Sequence, residues 1–178
     1  VIAQEGMLVH EPRLVIKWLE GVNKVIHHRL ASFCTRTSEV LFSPSLECRH
    51  AIQNQLKAAK RSIDICVFTI TDNEITSVIE ERFNAGIVVR IISDNDKAGD
   101  RGSDVDYLQS IGVDVKVDHT RFHMHHKFAI FDRSLVLTGS YNWTRSAAHS
   151  NQENVLISDD KKIVSRYISE FEKLWANF

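Results

Sequence analysis

The chain has 178 residues, 43% hydrophobic and 25% charged, with 22 basic against 23 acidic side chains. That length and composition suit one globular domain that buries its own core, and they exclude disorder, coiled coil and collagen-like repeats. A net charge of −1 excludes bulk electrostatic capture by nucleic acid or anionic lipid, so any phosphate chemistry must rest on local positive charge.

In chain order, Pro12 suits a first helical turn, and Leu14, Trp18, Val22, Val25/Ile26 and Leu30 recur at helical spacing. The preferred role of this helix is packing on the domain or on a partner. A membrane-surface role is encouraged by Arg13, Lys17, Lys24, Arg29 and Trp18 and weakened by Glu11 and Glu20. After a break around Pro44 come a helix over 46–60, a mostly buried strand over 62–68, and a helix over 72–84 that stops at Ala85-Gly86. A strand over 87–92, a loop over 93–102, a helix near 103–110 and a strand over 113–117 follow. The loop stands after a strand's C-terminal end, where α/β proteins place ligands, and its two readings are a gate and a solvated connection. This alternation predicts an α/β domain with at least a partly parallel sheet.

Further on, 127–131 and 135–138 read as short strands of a tight hairpin turning at Asp132-Arg133-Ser134. A short helix from about Asn142, a strand over 154–157 and a final helix complete the pattern. In that last helix Ile163/Val164, Tyr167/Ile168, Phe171, Leu174/Trp175 and Phe178 form an apolar stripe for core packing. Three cysteines, Cys34, Cys48 and Cys66, make no disulfide framework and favour a reducing compartment, with Cys66 in the core. No apolar run reaches the length of about 18 residues that a membrane span needs. The chain opens Val1-Ile2-Ala3, which leaves open a targeting or anchoring segment ahead of it.

The chemistry concentrates in 123–154. Strand periodicity puts His125 and Lys127 on one face, where an imidazole can attack or protonate and an ammonium can neutralise phosphoryl oxygens. Across the hairpin, Gly139-Ser140 and Asn142 offer a hydroxyl, a carboxamide and helical N–H groups as an anion cradle. Glu153 opens the next strand, where a carboxylate can hold a histidine in one tautomer.

His125-x-Lys127, four residues, Asp132, six more, then Gly139-Ser140-x-Asn142 and Glu153 eleven residues later resembles the HKD signature of the phospholipase D superfamily in its small single-motif form. Met124-His125-His126-Lys127-Phe128-Ala129-Ile130 and the later Trp143-Thr144 are similar to the Zucchini/mitochondrial cardiolipin hydrolase group, and the bacterial Nuc-type endonucleases share the same pattern. The resemblance spans 39–178, read as a phospholipase D-like phosphodiesterase domain; 1–38 form a helical extension outside it. It implies a mixed β-sheet with helices on both faces. It also implies His125 as nucleophile through a phosphohistidine, and Lys127 and Asn142, supported by Ser140, on the non-bridging oxygens. Glu153 would orient His125, Asp132 would be structural, and no metal or other cofactor is required. Because His-x-Lys occurs once, the group that protonates the leaving oxygen must be a second His125 across a homodimer two-fold. Small-RNA (piRNA) processing and, given an anchor, the mitochondrial outer surface are further implications of this resemblance.

Two metal readings compete. His123, His125 and His126 lack a carboxylate or cysteine at ligand spacing. Cys34, Cys48 and His50, with His27 and His28, form a weaker zinc candidate, since thirteen residues separate the two cysteines. Zinc is therefore not favoured. For substrate, Arg121, Phe122, Tyr141, Trp143 and Arg145 supply basic and aromatic groups suited to single-stranded RNA or DNA, with His123 and His126 as flanking contacts. Endonuclease activity is the favoured expectation. Hydrolysis of cardiolipin or a similar membrane lipid is the alternative, and a non-catalytic nucleic-acid-binding module the third.

Overall fold

The computed structural model describes residues 15–24, 38–99 and 102–178. The chain divides into two units, 1–36 and 37–178. In the first, residues 15–24 form a helix, α1, within the span its periodicity predicted. Pro12, Val25, Ile26 and Leu30 lie outside the described residues.

The second unit runs β1 (Ser38–Phe42), α2 (Glu47–Ala58), β2 (Ser62–Val67), α3 (Asn73–Asn84), β3 (Val88–Ser93), α4 (Asn95–Ala98), α5 (Val105–Ser110), β4 (Asp114–Val117), β5 (Lys127–Phe131), β6 (Leu135–Gly139), α6 (Arg145–His149), β7 (Asn154–Ser158) and α7 (Lys161–Asn177). Seven strands form one sheet in the order β1-β7-β6-β5-β2-β3-β4. The β2–β3 and β3–β4 pairs are parallel and the other four are antiparallel. The sheet is therefore mixed, with the βαβ half supplying its parallel part.

Strand alternation sends side chains to two apolar layers. Ile63, Ile65 and Val67 of β2, Val89 and Ile91 of β3, Ala129 and Phe131 of β5, and Val155 and Ile157 of β7 face one layer, closed by α2, α3 and α5. Cys66, Ile92, Phe128, Ile130 and Val136 face the other, closed by Val164 and Phe171 of α7. Each fully buried side chain of this size contributes about 1.5–3 kcal/mol. Tyr167, Ile168, Leu174, Trp175 and Phe178 complete the α7 stripe at its edges, whereas Ile163 is exposed. Helices thus cover both faces. Asp72 caps α3 by accepting from Glu74 N, and Asp160 caps α7 by accepting from Lys162 N and Ile163 N.

One charge inside the apolar β2 run needs its own account. Asp64 is buried on the α7 side, where Arg90 Nε donates to it at 2.8 Å. The same guanidinium reaches Glu172 and stands 4.8 Å from the Phe171 ring centroid. A buried carboxylate stays acceptable because its partner is charged, hydrogen-bonded and stacked.

Candidate active site

Strand directions decide where the site can be. The C-terminal ends of β1, β2, β3 and β6 and the N-terminal ends of β5 and β7 meet at one edge of the sheet. Phe68, Asp94, Lys127, Ser140 and Glu153 all belong to that edge. The hairpin turn at Asp132 lies at the opposite one.

His125 precedes β5 and is exposed. Lys127 Nζ lies 3.1 Å from His125 Nδ1 and donates to the His125 carbonyl at 2.8 Å. The pair therefore shares a face at the strand end. Burial, then the charges of Lys127 and His123, lower the His125 pKa against the opposing influence of Asp94. Burial likewise lowers Lys127, against Glu153 and Asp94, so the Glu153 carboxylate acts electrostatically on this ammonium.

Glu153 accepts a short hydrogen bond from Ser140 Oγ and another from Asn151 Nδ2 at 3.2 Å. Its backbone is clamped by Ser43, whose Oγ accepts from Glu153 N and whose N–H donates to Glu153 O. Among the described residues, Glu153 makes these bonds and none to His125. Ser140 N donates to Asn154 O, and Asn154 N to Ser140 Oγ. This crossing explains Gly139: a Cβ there would stand 2.0 Å from the Asn154 carbonyl oxygen. Any side chain would force β6 and β7 apart beside Ser140.

Asn142 is half-buried, and its carboxamide oxygen has no hydrogen-bond partner among the described residues. The helix expected from Asn142 begins instead at Arg145. Thr144 is its cap, with Oγ1 accepting from Ala147 N, so Asn142 lies in the extended connection before it and opens no helix. Arg145, on α6, is exposed.

Tyr141 and Trp143 correct the expectation of aromatic substrate contacts. They are 2% and 0% exposed, inside the α2–α3 layer. Trp143 N donates to Thr69 O while its carbonyl accepts from Thr71 N and Asp72 N, so it anchors the Asn142 connection to the loop after β2. Chain direction at this corner turns both rings inward. Phe122, 68% exposed beside Arg121, is the outward aromatic; the guanidinium stands 4.8 Å from its ring centroid. Phe122 lines a cavity of about 170 Å³ together with His123, His125 and His126. His126 meets Phe128 edge-on, at 5.5 Å between ring centroids.

Asp94 is the residue that sequence reasoning missed. The segment expected as a loop over 93–102 begins as α4, and Asp94 is its cap, fully buried, accepting from Asp96 N and Lys97 N. Its second oxygen accepts from Met124 N at 3.0 Å and lies 3.1 Å from His123 Nδ1. Asp-x-Asp after a strand end was the available signal, within a segment whose two readings were a gate and a solvated connection. Asp94, Asp96 and His123 place potential ligand atoms within 4.8 Å of one another, which corrects the statement that the histidines lack nearby carboxylates. Three backbone N–H groups already occupy the Asp94 oxygens, so the grouping is read as an orienting contact for His123.

Of the zinc candidate, the two described residues, Cys48 and His50, do not converge. Cys48 is fully buried in the core and His50 on the same helix is exposed. Two residues apart on a helix, they face different ways. Burial, with Glu47 adding, pushes the Cys48 thiol up, away from the thiolate a metal needs. Cys34, His27 and His28 lie outside the described residues. Asp132 accepts from Lys60 N, Arg61 N and Ser62 N, tying the hairpin turn to the start of β2.

The family model described as "Cardiolipin synthase, PLD-like domain" matches residues 52–175. A relative named mitochondrial cardiolipin hydrolase, from Chlamydomonas reinhardtii, is 50% identical over 123 residues, 69% of this chain and 55% of the relative. The Homo sapiens protein of that name is 37% identical over 123 residues, 69% of this chain and 49% of its own. The chain thus spans about half the length of these curated relatives. Among solved structures, Nuc from Salmonella typhimurium, a phospholipase D family member, superposes with a TM-score of 0.74 at 25% identity, covering 79% of this chain and 95% of Nuc.

Proposed function

The chain belongs to the phospholipase D-like domain family, and from that premise we propose that it is a metal-independent phosphodiesterase, an endonuclease on single-stranded RNA or DNA. The observation that carries the reading is the 3.1 Å contact of Lys127 Nζ with His125 Nδ1 at the sheet edge where Ser140 and Glu153 arrive. A lowered imidazole pKa favours the neutral, nucleophilic form of His125; in a composite site one copy attacks in that form while the other carries the proton for the leaving oxygen.

In the proposed cycle, an imidazole nitrogen of His125 forms a bond to phosphorus while the bond to the leaving oxygen breaks. Lys127 and Asn142 take the charge gathering on the non-bridging oxygens. The leaving oxygen receives its proton from His125 of a second copy. Water then attacks the phosphohistidine, giving up a proton to that same second histidine, and releases the phosphate end. One His-x-Lys per chain supports a homodimer with a single composite site.

The open ring of Phe122, which lines the same cavity as His125, and Arg121 stacked on that ring support a nucleic acid substrate, because a base can stack there while the guanidinium meets a phosphate. The second reading is cleavage of cardiolipin or a similar lipid, and what favours it is the name of the curated relatives. The same name supports a mitochondrial location. No helix among the described residues is long and apolar enough to cross a membrane.

Purified protein offered single-stranded RNA, single-stranded DNA and cardiolipin vesicles, each with EDTA, tests these choices. Cleavage of a nucleic acid that survives EDTA and is lost in His125→Ala is the expected result. Turnover of lipid alone overturns the endonuclease; loss of all activity in EDTA overturns the metal-free mechanism.

A further inference from the structure

Phe68 stands one residue beyond the last ladder pair of β2 and β5, Val67 opposite Lys127, and its N–H donates to the His126 carbonyl at 2.9 Å. That register brings its ring to segment 123–127. The His125 ring lies tilted against it, with centroids 4.5 Å apart, and His123 meets it edge-on at 5.4 Å. Lys127 Nζ is 4.9 Å from its centroid. Side chains from three alternate positions thus rest on one aromatic surface. The surface is itself fixed, because Ser93 Oγ donates to the carbonyls of Val67 and Phe68 at 3.1 and 3.3 Å.

We propose that Phe68 is a positioning residue for the phosphodiesterase site: its ring fixes the rotamer of His125 and the placement of the Lys127 ammonium, with His123 held on the same ring by buried Asp94. An exposed imidazole tied by one hydrogen bond has several staggered rotamers open to it. A ring face at 4.5 Å closes most of them, and the same ring attracts the ammonium through its quadrupole. An aliphatic side chain of similar volume fills the space but offers no flat face. Phosphoryl transfer is sensitive to this, since misplacing a reacting group by about 1 Å costs about 100-fold.

The kinetic part of this inference rests on the phosphodiesterase reading; the geometric part does not. The test compares wild type with Phe68→Leu and Phe68→Tyr, in kcat and KM on the cleaved diester and in NMR titration of the His125 imidazole. Phe68→Leu should lower kcat about 10- to 100-fold with KM nearly unchanged. Its His125 midpoint should move up toward the unperturbed value as the imidazole, no longer held against a flat ring, turns toward water. Phe68→Tyr, which keeps the flat face, should restore both. Wild-type kcat in Phe68→Leu, a His125 titration that overlays wild type, or a Tyr variant no better than Leu overturns the proposal. If wild type cleaves no diester, the functional reading falls while the titration still decides the role of Phe68. If Phe68→Leu does not fold, Phe68→Met takes its place in both measurements.

Discussion

His125 owes its reactive form to its neighbours. Burial, then Lys127 and His123, depress its pKa below the ordinary 6.5. The neutral ring attacks, so protonation removes the nucleophile and kcat/KM falls as pH drops through the depressed value. The acid limb of a pH–kcat/KM profile is therefore expected below 6.5, and a limb at or above that value contradicts the assignment. At this scale the motif residues were legible because their spacing is local: His125 and Lys127 share a face by strand period alone. Tyr141 and Trp143 were misread because adjacency to a motif does not say which way a side chain points. Phe68 and Asp94 were missed because they reach His125 and His123 across the sheet from other strands.

Hairpin β5–β6 shows how an element is held at the end remote from the chemistry. Asp132 and Arg133 take φ of 51° and 55°, the left-handed conformation a tight hairpin turn demands and most side chains resist. Asp132 offsets that cost through its carboxylate. Burial opposes ionisation there, but bonds from Lys60, Ser62 and Arg61 N–H groups outweigh it and hold the pKa below 3.8. Asp132→Ala should destabilise the protein by about 2 kcal/mol at pH 7, measured by urea unfolding. A folded pKa below the unfolded one means the contribution is complete above the unfolded value and lost as pH falls through the folded one. The gap between wild type and variant should accordingly narrow at pH 3; a pH-independent gap contradicts the carboxylate's role. Strand and helix positions were readable from period and capping residues. The start of α6 was not, because Thr144 rather than Asn142 supplies the capping oxygen.

For the whole molecule, the decisive question is the number of chains per site. If each site uses His125 from two copies, mixing wild type with His125→Ala and allowing exchange should make activity fall as the square of the wild-type fraction. A linear fall, or full specific activity in a species that sediments as a monomer, rules out the composite site. Near-neutral charge is consistent with self-association, since two such chains meet without strong net repulsion.

The sequence by itself determined the α/β class, the order of strands β2 to β7 with most of their helices, and the His125–Lys127–Asp132–Gly139–Ser140–Asn142–Glu153 spacing, because periodicity and short motifs are properties of neighbouring residues. Only the tertiary structure decided that Tyr141 and Trp143 are core and that Asp94 and Phe68 stand beside the histidines. Those outcomes depend on strand order and register across the sheet, which long-range pairing sets and no local window contains.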